Sequence, residues 1–329
     1  MPTERQRTQM RKRRRRQRRL VFLVLLPLLF LTFTAAGYGA FLYKKAESVF
    51  KDSYLDDGRH KSELRDAKVH PLKDNISILF IGVDESESRK KEFGDKTRSD
   101  ALMLATLNIE DKSIELVSIP RDSYVYVPEV GYNTKINHAH AYGGPKATIE
   151  TVEELFGLPV DYYVRMNFYA FMDVVDALGG IPFDVPYELV EKDSRDSHNA
   201  IHLKEGKQTL NGEEALALAR TRKYDSDIER GERQQQLLTA VVKKAISVNS
   251  LTKYDEILDA VGANMRTNMT FGEMKALIEY GKSGSLKFET ITLAGTDGKS
   301  NNGAYIYQLD ETELEVTKSK LARHLGLEN

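Results

Sequence analysis

"ISILFIGVD" (Ile76–Asp84) is a short, nearly continuous apolar run with β-branched residues, and it closes on Gly82 and Asp84. Such a run reads as a buried strand. Downstream, "ALMLATLNIEDKSIELVSIPRD" (Ala101–Asp122) reads as two further strands joined by a turn around Glu110 to Lys112. In "GPKATIETVEELFG", Ile149, Val152, Leu155 and Phe156 recur at helical spacing and Gly157 is a stop. "VDYYVRMNF" is strand-like, "YAFMDVVDALGG" helical and "IPFDVP" strand-like again. "LNGEEALALAR" opens a helix on an Asn211 cap, with Glu213 and Glu214 in its first turn. A long helix is expected from near Glu229 through "QQQLLTAVVKKAI", and "FETITLAG" is a late strand. Strands and helices alternate throughout, which predicts an α/β fold: a central mixed β-sheet covered by helices on both faces. With no internal repeat and no linker after residue 72, residues 73–329 are expected to form one domain.

The N-terminal end is different. Residues 1–19 carry ten Arg or Lys against one Glu, a net of +9, so the remainder sums to −10 against −1 for the whole chain. An acidic body argues against nucleic acid as a partner, because backbone binding needs a basic surface. "LVFLVLLPLLFLTFTAAGYGAFLY" (Leu20–Tyr43) has no charged residue and as a helix would cross a bilayer. With the basic run held inside, the body is expected outside the cell, behind an uncleaved single-pass anchor. "TAA" and "YGA" resemble cleavage sites, but the apolar core is too long for a signal peptide. The basic run is expected to set topology and touch anionic lipid. Residues 44–72 read as a polar stalk. Cysteine is absent, which excludes disulfides, thiol nucleophiles and thiolate metal sites.

Charged residues collect at the strand ends: Asp84 after the first strand, Arg98 and Asp100 before the second, Arg121 and Asp122 after the third. Ligands of open α/β sheets bind outside the carboxyl ends of strands. "RTRKYDSDIERGERQQQ" (Arg220–Gln236) has four arginines to one lysine. Arg220 and Arg222 are two apart, so an extended segment points both one way. Asp227, Arg230 and Gln234 share one face if the helix begins a turn early, near an N-terminus that favours anions. Arginine there grips phosphate bidentately. The pattern points to a polyphosphate site, against the plainer reading of a solvated charged face. The carboxylates either orient the guanidinium groups or hold a hard cation. "HAH" (His138, His140) and "HNAIH" (His198, His202) lack a third zinc ligand, and no G-x-S-x-G elbow occurs.

Taken in order, "FIGVD", "TRSDALML", "SIPRDSYV", "KINHAHAYGGP", "VDYYVRMNF", "VDALGGI", "GKQTLNGEEALALARTR" and "DIERGERQQQ" run over roughly residues 76 to 245. This set resembles the LytR-CpsA-Psr family of bacterial cell envelopes, closest to its wall teichoic acid ligases. The resemblance implies a phosphotransferase that attaches a polyprenyl-pyrophosphate-linked polymer to the 6-hydroxyl of N-acetylmuramic acid in peptidoglycan. It further implies Mg²⁺ (or Mn²⁺) on Asp84 and Asp100, and pyrophosphate on Arg98, Arg121, Arg220, Arg222, Arg230 and Gln234. Arg121, Asp227 and Asp84 are the implied catalytic groups, and an apolar tunnel holds the lipid. A pyrophosphatase acting on the same lipid and a non-catalytic regulator are the alternatives. Neither the tunnel lining nor the general base is readable from the chain.

Overall fold

The structure is a computed structural model, and its described residues are 30–85, 97–224, 227–247, 251–282, 284 and 286–327. The chain divides into two units, Met1–Ser48 and Val49–Asn329. A helix, α1, covers residues 30–53. Among the described residues no helix is long and apolar enough to cross a membrane. The basic run and the first ten residues of the span expected over 20–43 lie outside the described residues.

The second unit is built on a six-stranded mixed sheet. Its strands are β1 (Ile76–Val83), β2 (Ser99–Asn108), β3 (Ser113–Ser118), β6 (Tyr162–Asn167), β11 (Met265–Thr267) and β12 (Lys287–Thr292), in the order β11-β6-β1-β2-β3-β12. β1 runs parallel to β6 and antiparallel to β2, and β3 runs parallel to β12. The turn expected around Glu110 to Lys112 joins β2 to β3. Two short hairpins flank the sheet: β4 (Tyr124–Val127) with β5 (Tyr132–Lys135), and β13 (Gly295–Lys299) with β14 (Tyr305–Leu309). Two more pairs, β7 (Ile181–Val185) with β10 (Gly206–Leu210) and β8 (Leu189–Glu191) with β9 (Ile201–Leu203), lie between the helices in sequence.

Alternation along the strands sorts the two faces. Leu79, Ile81 and Val83 of β1 with Leu102 and Leu104 of β2 pack into one core. Ile149, Val152 and Phe156 of α2 (His138–Phe156) and Leu321 of α8 (Glu311–Leu325) complete it. The opposite face carries Phe80 paired with Met103 and Val164, and Gly82 paired with Ala101 and Met166. Helices α3 (Phe168–Ala177), α4 (Gly212–Arg220) and α5 (Asp227–Ser247) contribute residues opposite these. The remaining helices are α6 (Leu251–Asn264) and α7 (Phe271–Lys282). The expected mixed sheet with helices on both faces is therefore present.

Local signals match the elements they predicted. Asn211 caps α4 with a full capping box to Glu214. Gly157 ends α2 in the left-handed region. α2 begins at His138 rather than Gly144, crossing a kink at Gly143 and Gly144 ahead of Pro145. α5 begins at Asp227, a turn before its apolar periodicity asserts itself.

The polar stretch expected as a stalk over 44–72 differs. Past residue 53 it is tied into the second unit. Arg59 pairs with Glu153 at 3.0 Å, and Ser62 Oγ donates to the same carboxylate at 2.6 Å. Arg65 holds Asp161 through both oxygens at 2.9 and 2.8 Å, and that carboxylate also accepts the Ser77 N–H. Composition read this segment as solvated because its charges find partners some ninety residues away, a distance at which local pattern carries no signal.

The histidines of "HAH" are structural. His140 is buried, with Nδ1 2.7 Å from the Thr97 carbonyl and Nε2 accepting from Arg165 Nε at 3.3 Å. His138 Nδ1 lies 2.9 Å from Thr134 Oγ1. Burial, with Arg98 and Lys135 adding to it, pushes His138 down to about 4, and burial also lowers His140 and His324. His138 therefore stays neutral when folded down to about pH 4 but protonates near 6.5 when unfolded, so its contribution is intact above about pH 6.5 and is lost as pH falls toward 4; His140 and His324 act in the same direction. In urea titrations at pH 7 and pH 5, His138→Gln is expected to lose less midpoint stability than the wild type. An equal or larger loss would remove His138 from that account.

Candidate active site

The topology brings several strand ends to one edge. β1 and β6 present their C-terminal ends, β3 continues through Ile119 and Pro120, and antiparallel β2 presents its start, with Val83 opposite Ser99. Asp84, Arg98, Asp100, Arg121 and Asp122 are consequently neighbours although they span 39 residues of chain. Arg220 and Arg222 leave the end of α4, and Arg230 and Gln234 lie one helical turn apart on α5.

These side chains line two joined cavities. The first, of about 300 Å³, is bounded by Asp84, Asp100, Arg121, Phe168, Ala219, Arg220, Arg222, Arg230 and Gln234. The second, of about 310 Å³, shares Asp84, Asp100, Arg121 and Arg222 and adds Thr97, Arg98, Asp122, Lys135, Asn137 and Tyr305. Arg121 donates to Asp100 at 2.5 Å and sits 3.5 Å from Asp122, which pairs with Lys135 at 2.8 Å. Arg220 lies over the Phe168 ring, 5.5 Å from its centre. Gln234 donates to the Ala219 carbonyl at 3.0 Å.

The helix that carries Arg230 is fixed by its other polar residues. Buried Arg233 donates to the carbonyls of Leu218 and Thr221 at 2.6 and 2.9 Å, and Gln235 to those of Leu116 and Ile291, both at 2.8 Å. A Cβ on Gly231 would stand 2.6 Å from Ser118 Oγ, so glycine lets α5 approach the end of β3 without displacing that hydroxyl. A Cβ on Gly212 would meet the Met172 carbonyl at 2.5 Å, which sets α4 equally close to α3.

A third, apolar cavity of about 160 Å³ adjoins the first at Phe168, Ala219 and Gln234. It is the sheet face described above, Phe80, Gly82, Ala101, Met103, Val164 and Met166, roofed by Phe171, Val174, Leu216, Leu237, Leu238 and Val241. Sequence reasoning could not separate these residues from core, since both are apolar at the same spacing.

Among the sequence-selected residues, Asp84, Arg98, Asp100, Arg121, Arg220, Arg222, Arg230 and Gln234 all line the polar cavities. Asp227 opens α5, but its side chain and all of Asp225 lie outside the described residues. Thr97, Lys135, Asn137 and Tyr305 were not singled out. Asn137 sat inside a quoted motif without a role, and Tyr305 had no local signal. Among the described residues no cluster of three or more His, Asp or Glu could hold a metal ion. Asp84 and Asp100 give two carboxylates on one cavity, a donor set that suits a hard cation completing its shell with water and phosphate oxygens.

The chain matches the LytR_cpsA_psr family over residues 40–323. It is 38% identical over 325 residues to the Bacillus subtilis (strain 168) polyisoprenyl-teichoic acid–peptidoglycan teichoic acid transferase TagT, covering 98% of this chain and 99% of that protein. A structure of TagT bound to LIIa-WTA aligns with a TM-score of 0.71 at 38% identity, over 83% of this chain and 99% of the other. Another, of the LytR-CPS2A-psr family protein YwtF (TagT) with bound octaprenyl pyrophosphate lipid, aligns at 0.66 and 35% identity, over 82% and 97%. Motif order, sheet topology and these similarities agree: the chain belongs to the LytR-CpsA-Psr family.

Proposed function

We propose that this protein is a phosphotransferase that moves an anionic wall polymer, wall teichoic acid, from a polyprenyl pyrophosphate onto the 6-hydroxyl of N-acetylmuramic acid in peptidoglycan. The observation that carries the reading is the junction of the arginine-lined cavity with the apolar one, which matches a pyrophosphate joined to a hydrocarbon chain. The names and bound ligands of the TagT relatives support it.

In this reading Arg121, Arg220, Arg222 and Arg230, with Arg98 at the rim, hold the pyrophosphate oxygens. Gln234 stands where phosphate passes into lipid. The acceptor hydroxyl attacks the phosphorus next to the polymer, and the bond from that phosphorus to the bridging oxygen breaks. A phosphodiester forms and polyprenyl phosphate leaves, its new charge met by the arginines. Asp84, common to both polar cavities, and Asp227, at the start of α5, are the two carboxylates proposed for the hydroxyl proton, and a metal ion on Asp84 would weaken it as a base. Asp84 and Asp100 would hold Mg²⁺ or Mn²⁺, which supplies further neutralisation of phosphate charge. Peptidoglycan and the lipid-linked polymer are outside the cell, so the body is assigned there, behind a single-pass anchor over 20–43 with residues 1–19 cytoplasmic.

A transfer assay tests the reaction. With a polyprenyl-pyrophosphate-linked sugar, Mg²⁺ and peptidoglycan oligomers, the wild type is expected to form a glycan phosphodiester. Arg121→Ala should lower kcat/KM by about 10²–10³, the loss typical of one transition-state donor. Free sugar phosphate with no coupling would favour a pyrophosphatase instead. Ala101→Leu, which intrudes on the apolar cavity alone, is expected to raise KM at least several-fold for long-chain donors and leave short-chain donors unaffected. Equal effects on both would detach that cavity from the lipid. For the topology, a reporter enzyme fused after Asn329 should be active only if it functions outside the cell; activity of a cytoplasm-only reporter would reverse the assignment.

A further inference from the structure

We infer that the half of the cleft lined by Thr97, Asp122, Lys135, Asn137 and Tyr305 seats the acceptor sugar, a glycan ring bearing hydroxyl and amide groups. The inference rests on the phosphotransferase reading and assigns the nucleophile's side of the same site.

The order of the cavities is the first argument. The apolar cavity shares Phe168, Ala219 and Gln234 with the first polar cavity, and that cavity shares Asp84, Asp100, Arg121 and Arg222 with the second. The apolar cavity and the second polar cavity share no lining residue. Displacement at phosphorus proceeds in line, with the attacking oxygen opposite the leaving one. The leaving oxygen departs with the lipid, so the attacking hydroxyl comes from the far end. The donor's own sugar is a substituent on the phosphorus and lies to the side of that line.

Unsatisfied polar groups are the second. Thr97 Oγ1 and Asn137 Oδ1 are buried without a hydrogen-bond partner, on residues 5% and 4% exposed. An unmade bond at a buried polar atom costs free energy. Phosphate oxygens only accept, so they cannot satisfy Asn137 Oδ1. A sugar hydroxyl or acetamide N–H can. The charged residues that line only this side, Arg98, Lys135 and Asp122, include a carboxylate, which is engaged with Lys135 and Arg121, whereas those that line only the first, Arg220 and Arg230, include none. That leaves the second half less suited to an anion than the first.

Tyr305 supplies a surface. The residue is 42% exposed, its hydroxyl donates to Asp297 at 2.8 Å, and the Lys135 ammonium stands 5.5 Å from the ring centre. The ring is therefore held in one orientation and offers an apolar face beside polar groups, the mixture that ligand pockets use to orient polar molecules.

The experiment uses the full-length protein, a short-chain polyprenyl-pyrophosphate-linked sugar and uncrosslinked peptidoglycan oligomers. Thr97→Val, Asn137→Ala and Tyr305→Leu are each expected to raise the acceptor KM about ten-fold, roughly the worth of one hydrogen bond or packed ring face. The donor KM should stay within about two-fold of the wild type, a split that uniform structural damage would not produce. If Asn137→Ala fails to fold, the near-isosteric Thr97→Val reads the same effect. An unchanged acceptor KM overturns the inference, and so does a donor KM that rises in step, which would make this half the donor's sugar site. Direct titration of the oligomers onto protein loaded with octaprenyl pyrophosphate needs no turnover and separates the two readings. Oligomer binding that weakens in the variants supports the acceptor seat even if the wild type only hydrolyses donor. A wild type that does not bind the oligomers overturns it.

Discussion

Like-charge crowding is the constraint around which this fold is arranged. Five arginines and Lys135 line the two polar cavities against three carboxylates, Asp84, Asp100 and Asp122. Such a set repels itself unless each cation is held by backbone that cannot yield and by interspersed anions. The structure meets this by drawing the cations from separate elements: the edge of the sheet, the end of α4 and the first turns of α5. The chain as a whole is acidic outside its basic tail, so the positive charge is local and stands against a negative background. A cleft of that kind concentrates anions.

Rigidity of α5 follows from the same demand. Its sequence "ERGERQQQ" looks like one charged run, yet the structure divides it between two tasks. Arg230 and Gln234 line the cleft. Arg233 and Gln235 turn inward and bond four backbone carbonyls from α4's end, β3 and β12. Those inward contacts cannot be traded for water without leaving buried carbonyls unpaired. The helix is thus locked to the sheet by residues interleaved with those that line the cleft, and Gly231 keeps its close approach to Ser118 of β3 free of a side chain.

Much of this was legible in the chain because the relevant patterns are local. "ISILFIGVD" showed a buried strand ending in a carboxylate, Asn211 with Glu214 showed a helix start, and arginine in excess of lysine pointed to a bidentate grip on phosphate. What was not legible depends on long-range pairing. Arg65 with Asp161 turned a presumed stalk into part of the unit. Tyr305 reaches the cleft from a hairpin more than eighty residues beyond Arg222, and Arg233 could not be told from Arg230 without knowing which way the helix faces. The apolar cavity shares its composition with the core. Only register, Phe80 against Met103 and Val164, reveals that one face of the sheet is left partly unfilled.

The partition of the cleft also bears on why such a site transfers rather than hydrolyses. Arginines that neutralise a leaving pyrophosphate assist water and a sugar hydroxyl alike, so charge alone does not choose the nucleophile. Choice requires that one nucleophile be held in line and that bulk water find no better-oriented place. A hydroxyl fixed by groups such as Asn137 and Thr97 beside the phosphorus gains an effective concentration of up to about 10⁵–10⁸ M when well aligned. Water, small and held by no ring face, gains little from the same groups. In the proposed reaction an arginine clamp would account for the rate of phosphorus–oxygen cleavage, and the polar atoms on its far side for where the phosphoryl group goes.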